Sequence, residues 1–414
     1  MRNHLLMILA VLAVSIFLVG CTGPQKPAPI PTNYSVTDLS DAHNALGFKM
    51  IHELLKADSG KNVFISPTSI SLALTMVYDG SAGQTRDDMG KTMGINGLDP
   101  GAIDNKSQYL VRSLTSRPNV TLSIADSIWI SKTLQLRPGY QSEVETFFDA
   151  NASVLDFGSP DSAAIINSWV SNKTNGRIDS IVQPPLDLVK AVLVNAVYFK
   201  GKWEKSFNKS DTENDTFTTG NGSSMMVPMM RRSDTFNYLE TDAFQAIELP
   251  YSDNLSMFVF LPKQPVLSNP KIEDFVQGID QAQWSAWLSQ FQPKEGTILL
   301  PRFKTTYSTK LNQPLINSGM GIAFTDAADF SLISPTPLKI DEVIHKTFVE
   351  TNEEGSEAAG VTAVIMVATA IPNSHPPPPF HMKADHPFFY AIYDKETGSI
   401  LFMGVMNEAG DTSN

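Results

Sequence analysis

The stretch from Glu353 to Ala370, EEGSEAAGVTAVIMVATA, narrows most what this chain can fold into. It is built of small and β-branched residues and meets no proline until Pro372, so it can enter a β-sheet. Alternate positions put Ser356, Ala358, Gly360, Thr362, Val364 and Met366 on one face, all uncharged. The other face carries Glu357, Ala359, Val361, Ala363, Ile365 and Val367. The first face can be buried while Glu357 stays in water. Yet a permanent central strand seldom holds so many Gly and Ala residues, which weaken pairing. Pro372 and Pro376 to Pro379 follow directly and cannot donate ladder hydrogen bonds. The fold must therefore accommodate a strand-competent segment tied to an extended, exposed one.

The rest of the chain supplies the body. Ala45, Phe48, Ile51, Leu54 and Leu55 recur at helical spacing, with Ser40 as an N-cap and Gly60 as a stop; Leu72 to Met76 continues helical character until Gly80 and Gly83. Strand character follows at Ala191 to Phe199, Ala246 to Leu249, Met257 to Leu261, Thr297 to Leu300 and Phe388 to Tyr393. Helices early and strands late favour an α+β fold over alternating α/β. Asp211 to Ser224, rich in Thr, Asn, Asp and Gly, reads as a surface turn region. Length alone would allow two or three domains, but no Pro/Ser linker or internal repeat divides the chain after residue 35, so one domain over 38–414 is expected.

The first residues are expected to lie outside that domain. Arg2, the apolar run Leu5 to Leu18 and Leu18-Val19-Gly20-Cys21 resemble a lipoprotein signal peptide. That resemblance implies removal of residues 1–20, lipid on the sulfur of Cys21, and an exported protein held at the membrane by a proline-rich tether, 21–37. An uncleaved apolar anchor is the alternative, although the run is shorter than the ~20 residues a span needs. Cys21 is the only cysteine, so no disulfide framework exists. Nine Asn-x-Ser/Thr sequons, from Asn33 to Asn254, are potential glycan acceptors in an exported chain.

Chemistry of the enzymatic kind is missing. The net charge of −12 argues against nucleic acid as partner. No Gly-x-Ser-x-Gly elbow, His-Glu-x-x-His pair or Cys-x-x-Cys occurs. Gly90-Lys91-Thr92 imitates the end of a phosphate loop, but Thr85 stands where the first glycine is required. His375, His381 and His386 are spaced for neither one helical face nor one strand face, and no acidic or sulfur ligand completes a metal site.

Along Ala42 to Met406 the sequence resembles the serpins. The motifs run in order: NVFISPTSISLALTM at Asn62 to Met76, INSWVSNKTNGRI at Ile166 to Ile178, LVNAVYFKGKWEKSF at Leu193 to Phe207, and ELPY at Glu248 to Tyr251. LPRFK at Leu300 to Lys304, ADF at Ala328 to Phe330, HKTFVETNEEGSEAAG at His345 to Gly360, ADHPFFYAI from Ala384 and TGSILFMG ending at Gly404 complete the set. The resemblance implies a serpin fold with a large central mixed sheet and an exposed reactive loop over about 355–385. It implies a monomer that needs no cofactor, is not an enzyme, and forms a covalent acyl-enzyme complex with a serine protease, after which the cleaved loop inserts into the sheet.

Residue by residue, the resemblance matches Gly355, Ser356, Glu357, Ala358, Ala359 and Gly360 to the hinge of the loop, where inhibitors keep small side chains. It matches Ser66, Ser69, Asn195 and His345 to the shutter that holds the middle strands, though ordinary satisfaction of buried polar groups would use the same residues. Trp203, Arg302 and Glu353 match the breach where insertion starts, with Arg302 and Glu353 able to form an ion pair. The family's spacing puts the reactive bond at Thr369-Ala370, within one or two residues. The small side chains there suit shallow pockets of elastase-like or subtilisin-like proteases. A non-inhibitory serpin-fold binding or chaperone-like protein is the alternative; it would be expected to have a compromised hinge.

Overall fold

The computed structural model describes residues 35–263, 271–356 and 378–413. From Ser35 onward they form one compact unit. Its architecture is α+β, as the order of helical and strand patterns predicted; among the described residues six of nine α-helices lie before Thr174, and most strands of the two large sheets lie after it.

The helix Thr37–Ala57 buries Leu39, Leu46, Met50, Ile51, Leu54 and Leu55, the face set by the helical period. Ser40 does not cap it. The helix starts three residues earlier, and Ser40 lies inside it, buried, its hydroxyl 2.9 Å from that of Ser399. Packing against the strand Ser399–Met406 thus claims the side chain that local chemistry would spend on a cap. The next helix, Pro67–Asp79, has proline at its first position, where no amide is needed, and Ser66 as N-cap accepting from Ser69 N–H at 3.4 Å. Gly83 opens the following helix, Gly83–Met93, rather than closing this one.

Among the described residues one sheet has seven strands. In spatial order they are Asp411–Ser413, Phe303–Lys310, Glu342–Asn352, Gly355–Ser356, Ala191–Lys202, Val120–Ser131 and Asn151–Leu155. The sheet is mixed: Glu342–Asn352 runs antiparallel to Phe303–Lys310 but parallel to Ala191–Lys202, in a register joining Glu342 to Val192 and Phe348 to Tyr198. Its outer face is covered by the helix Ser162–Lys173, with Ile166 and Val170 in one core with Val194, Ala196, Ile344 and Phe348. On the inner face lies the helix Pro67–Asp79, whose Ser69 reaches Asn195.

The other sheet runs from Val63–Ile65 through Ser399–Met406, Phe388–Asp394, Leu255–Pro262, Phe244–Pro250, Ser224–Glu240 and Gln292–Pro301 to Phe380–Lys383. Phe64 stacks in it between Tyr390 and Phe402, 5.4 and 5.1 Å away. The supposed turn region Asp211 to Ser224 contains a strand, Glu213–Thr218, paired with Ser224–Met229. It lies beside Ser224–Glu240 alone, three of its six residues are exposed and only Phe217 is buried, which is why its composition looks like a loop.

Candidate functional site

The two middle strands of the seven-stranded sheet are joined below and parted above. Where their pairing stops, Gly355–Ser356 stands between them: Gly355 opposite Lys202 and Asn352, Ser356 opposite Gly201 and Thr351. Only glycine fits the first place. Its φ is +144°, and a Cβ would lie 2.1 Å from the Gly201 carbonyl oxygen and 2.7 Å from Lys202 Cα. Ser356 is fully buried, its hydroxyl 2.7 Å from that of Tyr251 and 3.2 Å from that of Thr351. Tyr251 in turn stacks on Trp203 with ring centres 4.2 Å apart.

Just before this wedge the chain is clamped. Glu353 is buried and receives Arg302 Nε–H on both carboxylate oxygens, at 2.7 and 2.8 Å, with Arg302 Nη2 also on Oε1. Thr212 donates to Glu353 Oε1 at 2.5 Å. Burial alone would raise this carboxyl, but the bonds from Arg302 and Thr212 outweigh it and hold it below its ordinary value. Trp203 donates its indole N–H to Asn352 O at 2.9 Å and its backbone N–H to Glu354 O at 3.1 Å, while Phe207 N–H reaches Glu353 O at 2.8 Å. Trp203, Arg302 and Glu353, far apart in sequence, therefore meet at one turn.

Lower down, where the strands still touch, a buried polar row crosses the sheet. His345 and Asn195 are register partners on the parallel pair, and Asp126 faces Asn195 from the strand beyond. Ser66 N–H donates to His345 Nε2 at 3.1 Å, His345 Nδ1–H donates to Asn195 Oδ1, and Asn195 Nδ2 donates to Asp126 Oδ1 and to Ser69 Oγ. Burial pushes the His345 imidazole down to about 3. Burial likewise pushes the Asp126 carboxyl up to about 7, against the opposing bonds from Asn195 and Ser69.

The serpin (serine protease inhibitor) family profile matches residues 41–409 of this chain. The chain is a serpin. It is 37% identical to an uncharacterized serpin-like protein of Thermococcus kodakarensis, over 98% of this chain and 99% of that one. It is 34% identical to Iripin-2 of Ixodes ricinus, over 89% and 93%. Among solved structures, the thermophilic serpin tengpin in its native state superposes with a TM-score of 0.82 at 26% identity, over 91% of this chain and 95% of that one. Human thyroxine-binding globulin gives 0.82 at 25%, over 90% and 99%.

Of the residues singled out in this serpin's sequence, the structure gathers Ser66, Ser69, Asn195 and His345 into one row, and Trp203, Arg302, Glu353, Gly355 and Ser356 into one corner. Glu357, Ala358, Ala359, Gly360, Thr369, Ala370 and Cys21 lie outside the described residues. Sequence reasoning missed Asp126, Tyr251 and Thr212. Asp126 had a signal: the only charge in the stretch Leu122 to Ile130, unread because that strand was not recognised. Thr212 and Tyr251 are identified only by what touches them. The phosphate-loop imitation Gly90-Lys91-Thr92 is part of a helix, and among the described residues no cluster of three or more His, Cys, Asp or Glu is placed to share a metal ion.

Two outcomes follow from this corner of the serpin. Gly355→Ala should cost about 2 kcal/mol, because the added Cβ meets backbone atoms and the positive φ suits no L side chain. Urea midpoints check it, and an unchanged midpoint would mean that the wedge does not need glycine. Glu353→Gln removes a carboxyl whose folded pKa is lowered, so what Glu353 contributes is complete above its ordinary 4.5 and fades as pH falls through the lower folded value. The wild type should therefore exceed the variant in midpoint near pH 7, and the difference should close on acidification. A difference that stays constant would sink the ion-pair account.

Proposed function

We propose that this serpin inhibits serine proteases as a suicide substrate, its loop being cleaved and then drawn into the seven-stranded sheet. The observation that carries this reading is the half-parted state of the two middle strands, with Gly355–Ser356 already standing in the opening. Each step along the loop from Ser356 is one step back along both flanking strands. Six steps bring Thr362 opposite Asn195 on one side and His345 on the other, the two partners that insertion would separate. Thr362 shares the uncharged face with Ser356 and offers a hydroxyl where the polar row would otherwise lose a bond. Ten steps bring Met366 opposite Ala191, the end of that strand. Thr369 comes three residues later, so a cut after it leaves enough chain to fill the gap.

In chemical terms, the protease hydroxyl attacks the Thr369 carbonyl, the bond to Ala370 breaks, the amine leaves on Ala370, and Thr369 remains as an ester on the enzyme. Insertion then removes the ester from the geometry that water needs, releasing strain held in the uncut fold. Val367-Ala368-Thr369-Ala370 carries no charge and no ring, so shallow pockets of elastase-like or subtilisin-like enzymes are the targets of choice. A non-inhibitory binding or chaperone-like role has the likeness to thyroxine-binding globulin in its favour. That role gives no reason for small residues at Ser356, Ala358, Ala359 and Gly360. We assign residues 1–20 to a signal peptide, Cys21 to lipidation, and the mature protein to the outer side of a membrane, on the sequence pattern given above.

Incubation with pancreatic elastase or subtilisin should give a complex that survives denaturant, and mass spectrometry of the released peptide should place its first residue at Ala370. Ser356→Arg would bury an unpaired charge beside Tyr251 and Thr351, costing several kcal/mol, and should turn the trap into a plain substrate. Cleavage without any complex in the wild type would favour the non-inhibitory reading, and trapping of trypsin would overturn the target assignment. Separately, Cys21→Ala should move the protein from the membrane to the soluble fraction with trapping intact. Retention of that variant would support an uncleaved apolar anchor.

A further inference from the structure

Asp126 has no place in the roles assigned so far, and its surroundings are unusual for a carboxyl. It is 3% exposed, on the last strand but one of the seven-stranded sheet. Among the described residues the side chains that bond to it are Asn195 from the neighbouring strand and Ser69 from the helix Pro67–Asp79, both uncharged. No charged group of the strand Asn151–Leu155, or of the helices Pro100–Thr115 and Ser162–Lys173, enters its interactions. The one titratable group in the row is His345, on the far side of Asn195. The row also has a fixed direction. Because Ser66 N–H donates to Nε2, that nitrogen carries no proton, and the ring is neutral with its hydrogen on Nδ1. Asn195, its oxygen occupied by that hydrogen, turns its amide donors to Asp126 and Ser69.

We propose that Asp126 is a positioning residue that holds a proton while the sheet is shut, and that Asp126 and His345 change charge in opposite senses when the two middle strands part. Parting separates Asn195 from His345 and admits water. One proton then leaves the Asp126 carboxyl for solvent, and one passes from solvent to His345 Nε2, freed from Ser66 N–H. Net proton uptake by the pair is zero, so its contribution to opening is independent of pH between about 4.5 and 6, where each group taken alone would make it strongly dependent. An isolated buried carboxylate would prise the row apart as pH rises, and an isolated buried imidazole would do so as pH falls. Together they cancel. The proposal rests on the insertion reading, since parting is what insertion demands.

The test is hydrogen exchange of the backbone amides in Ala191–Lys202 and Glu342–Asn352, measured in the full chain and corrected for the intrinsic effect of pH. Opening in Asp126→Asn, relative to wild type, should rise about tenfold per pH unit as pH falls from about 6 to about 4.5. In His345→Gln the ratio to wild type should rise about tenfold per unit as pH rises through the same range. Ratios that stay constant with pH would mean merely structural roles and would overturn the proposal, as would slopes of the same sign in both variants. Should Asp126→Asn fail to fold, Asp126→Ser carries the same expectation. Exchange needs no protease, so opposed slopes in a protein that traps nothing would leave the proton balance standing and remove only the inhibitor reading. Trapping with flat ratios would do the reverse.

Discussion

The parallel pairing of Glu342–Asn352 with Ala191–Lys202 is the contact from which the rest of the site follows. Seven residue pairs hold it, and parallel ladders are slightly weaker per residue than antiparallel ones. The two strands are flanked on their other sides by antiparallel neighbours, Phe303–Lys310 and Val120–Ser131. The central seam is thus weaker per residue than the antiparallel pairings on either side of it. Its outer face is closed by apolar packing, aliphatic and aromatic, beneath the helix Ser162–Lys173, which is far less directional than a hydrogen bond. Its inner face is closed by directional bonds through His345, Asn195 and Thr347, which hold only in one register.

That division of labour has a physical consequence. Apolar contacts can slide and re-form around a new strand, whereas a buried amide and imidazole must find new partners or lose several kcal/mol. A seam closed in this way stays shut until something polar arrives to replace what is broken. On the proposed mechanism Thr362 is that replacement, and the charge balance of Asp126 with His345 keeps the seam's strength steady in mildly acid surroundings.

The two ends of the proposed reactive segment are held by opposite means. At the entry, Gly355 fits against backbone so closely that it has no side chain to anchor it, and the Arg302–Glu353 pair fixes the turn just outside. At the return, Phe380 stacks on Tyr238 with centres 4.0 Å apart and fills the space that a Cβ on Gly296 would need. On the proposed mechanism the entry end would advance into the sheet, while the return end is fastened by ring packing that would have to be broken.

The sequence by itself determined the α+β class and the family, and it singled out the segment from Glu353 whose first residues, Gly355–Ser356, stand in the sheet, because periodicity, turn residues and ordered motifs are local quantities. It also identified Ser66, Ser69, Asn195, His345, Trp203, Arg302 and Glu353, though only by resemblance; nothing in their spacing says that they meet. Where local and tertiary demands diverged, the sequence misled. Ser40 looks like a cap but bonds to Ser399, and the polar composition of Glu213–Thr218 hides a strand whose partners are backbone groups. Only the tertiary structure decided that Asp126 completes the buried row and that Tyr251 and Thr351 receive Ser356. It alone decided that the middle strands are shut below and wedged above. These depend on strand register and on the approach of groups far apart in the chain, 69 residues for Asp126 with Asn195 and 105 for Tyr251 with Ser356, which no local pattern encodes.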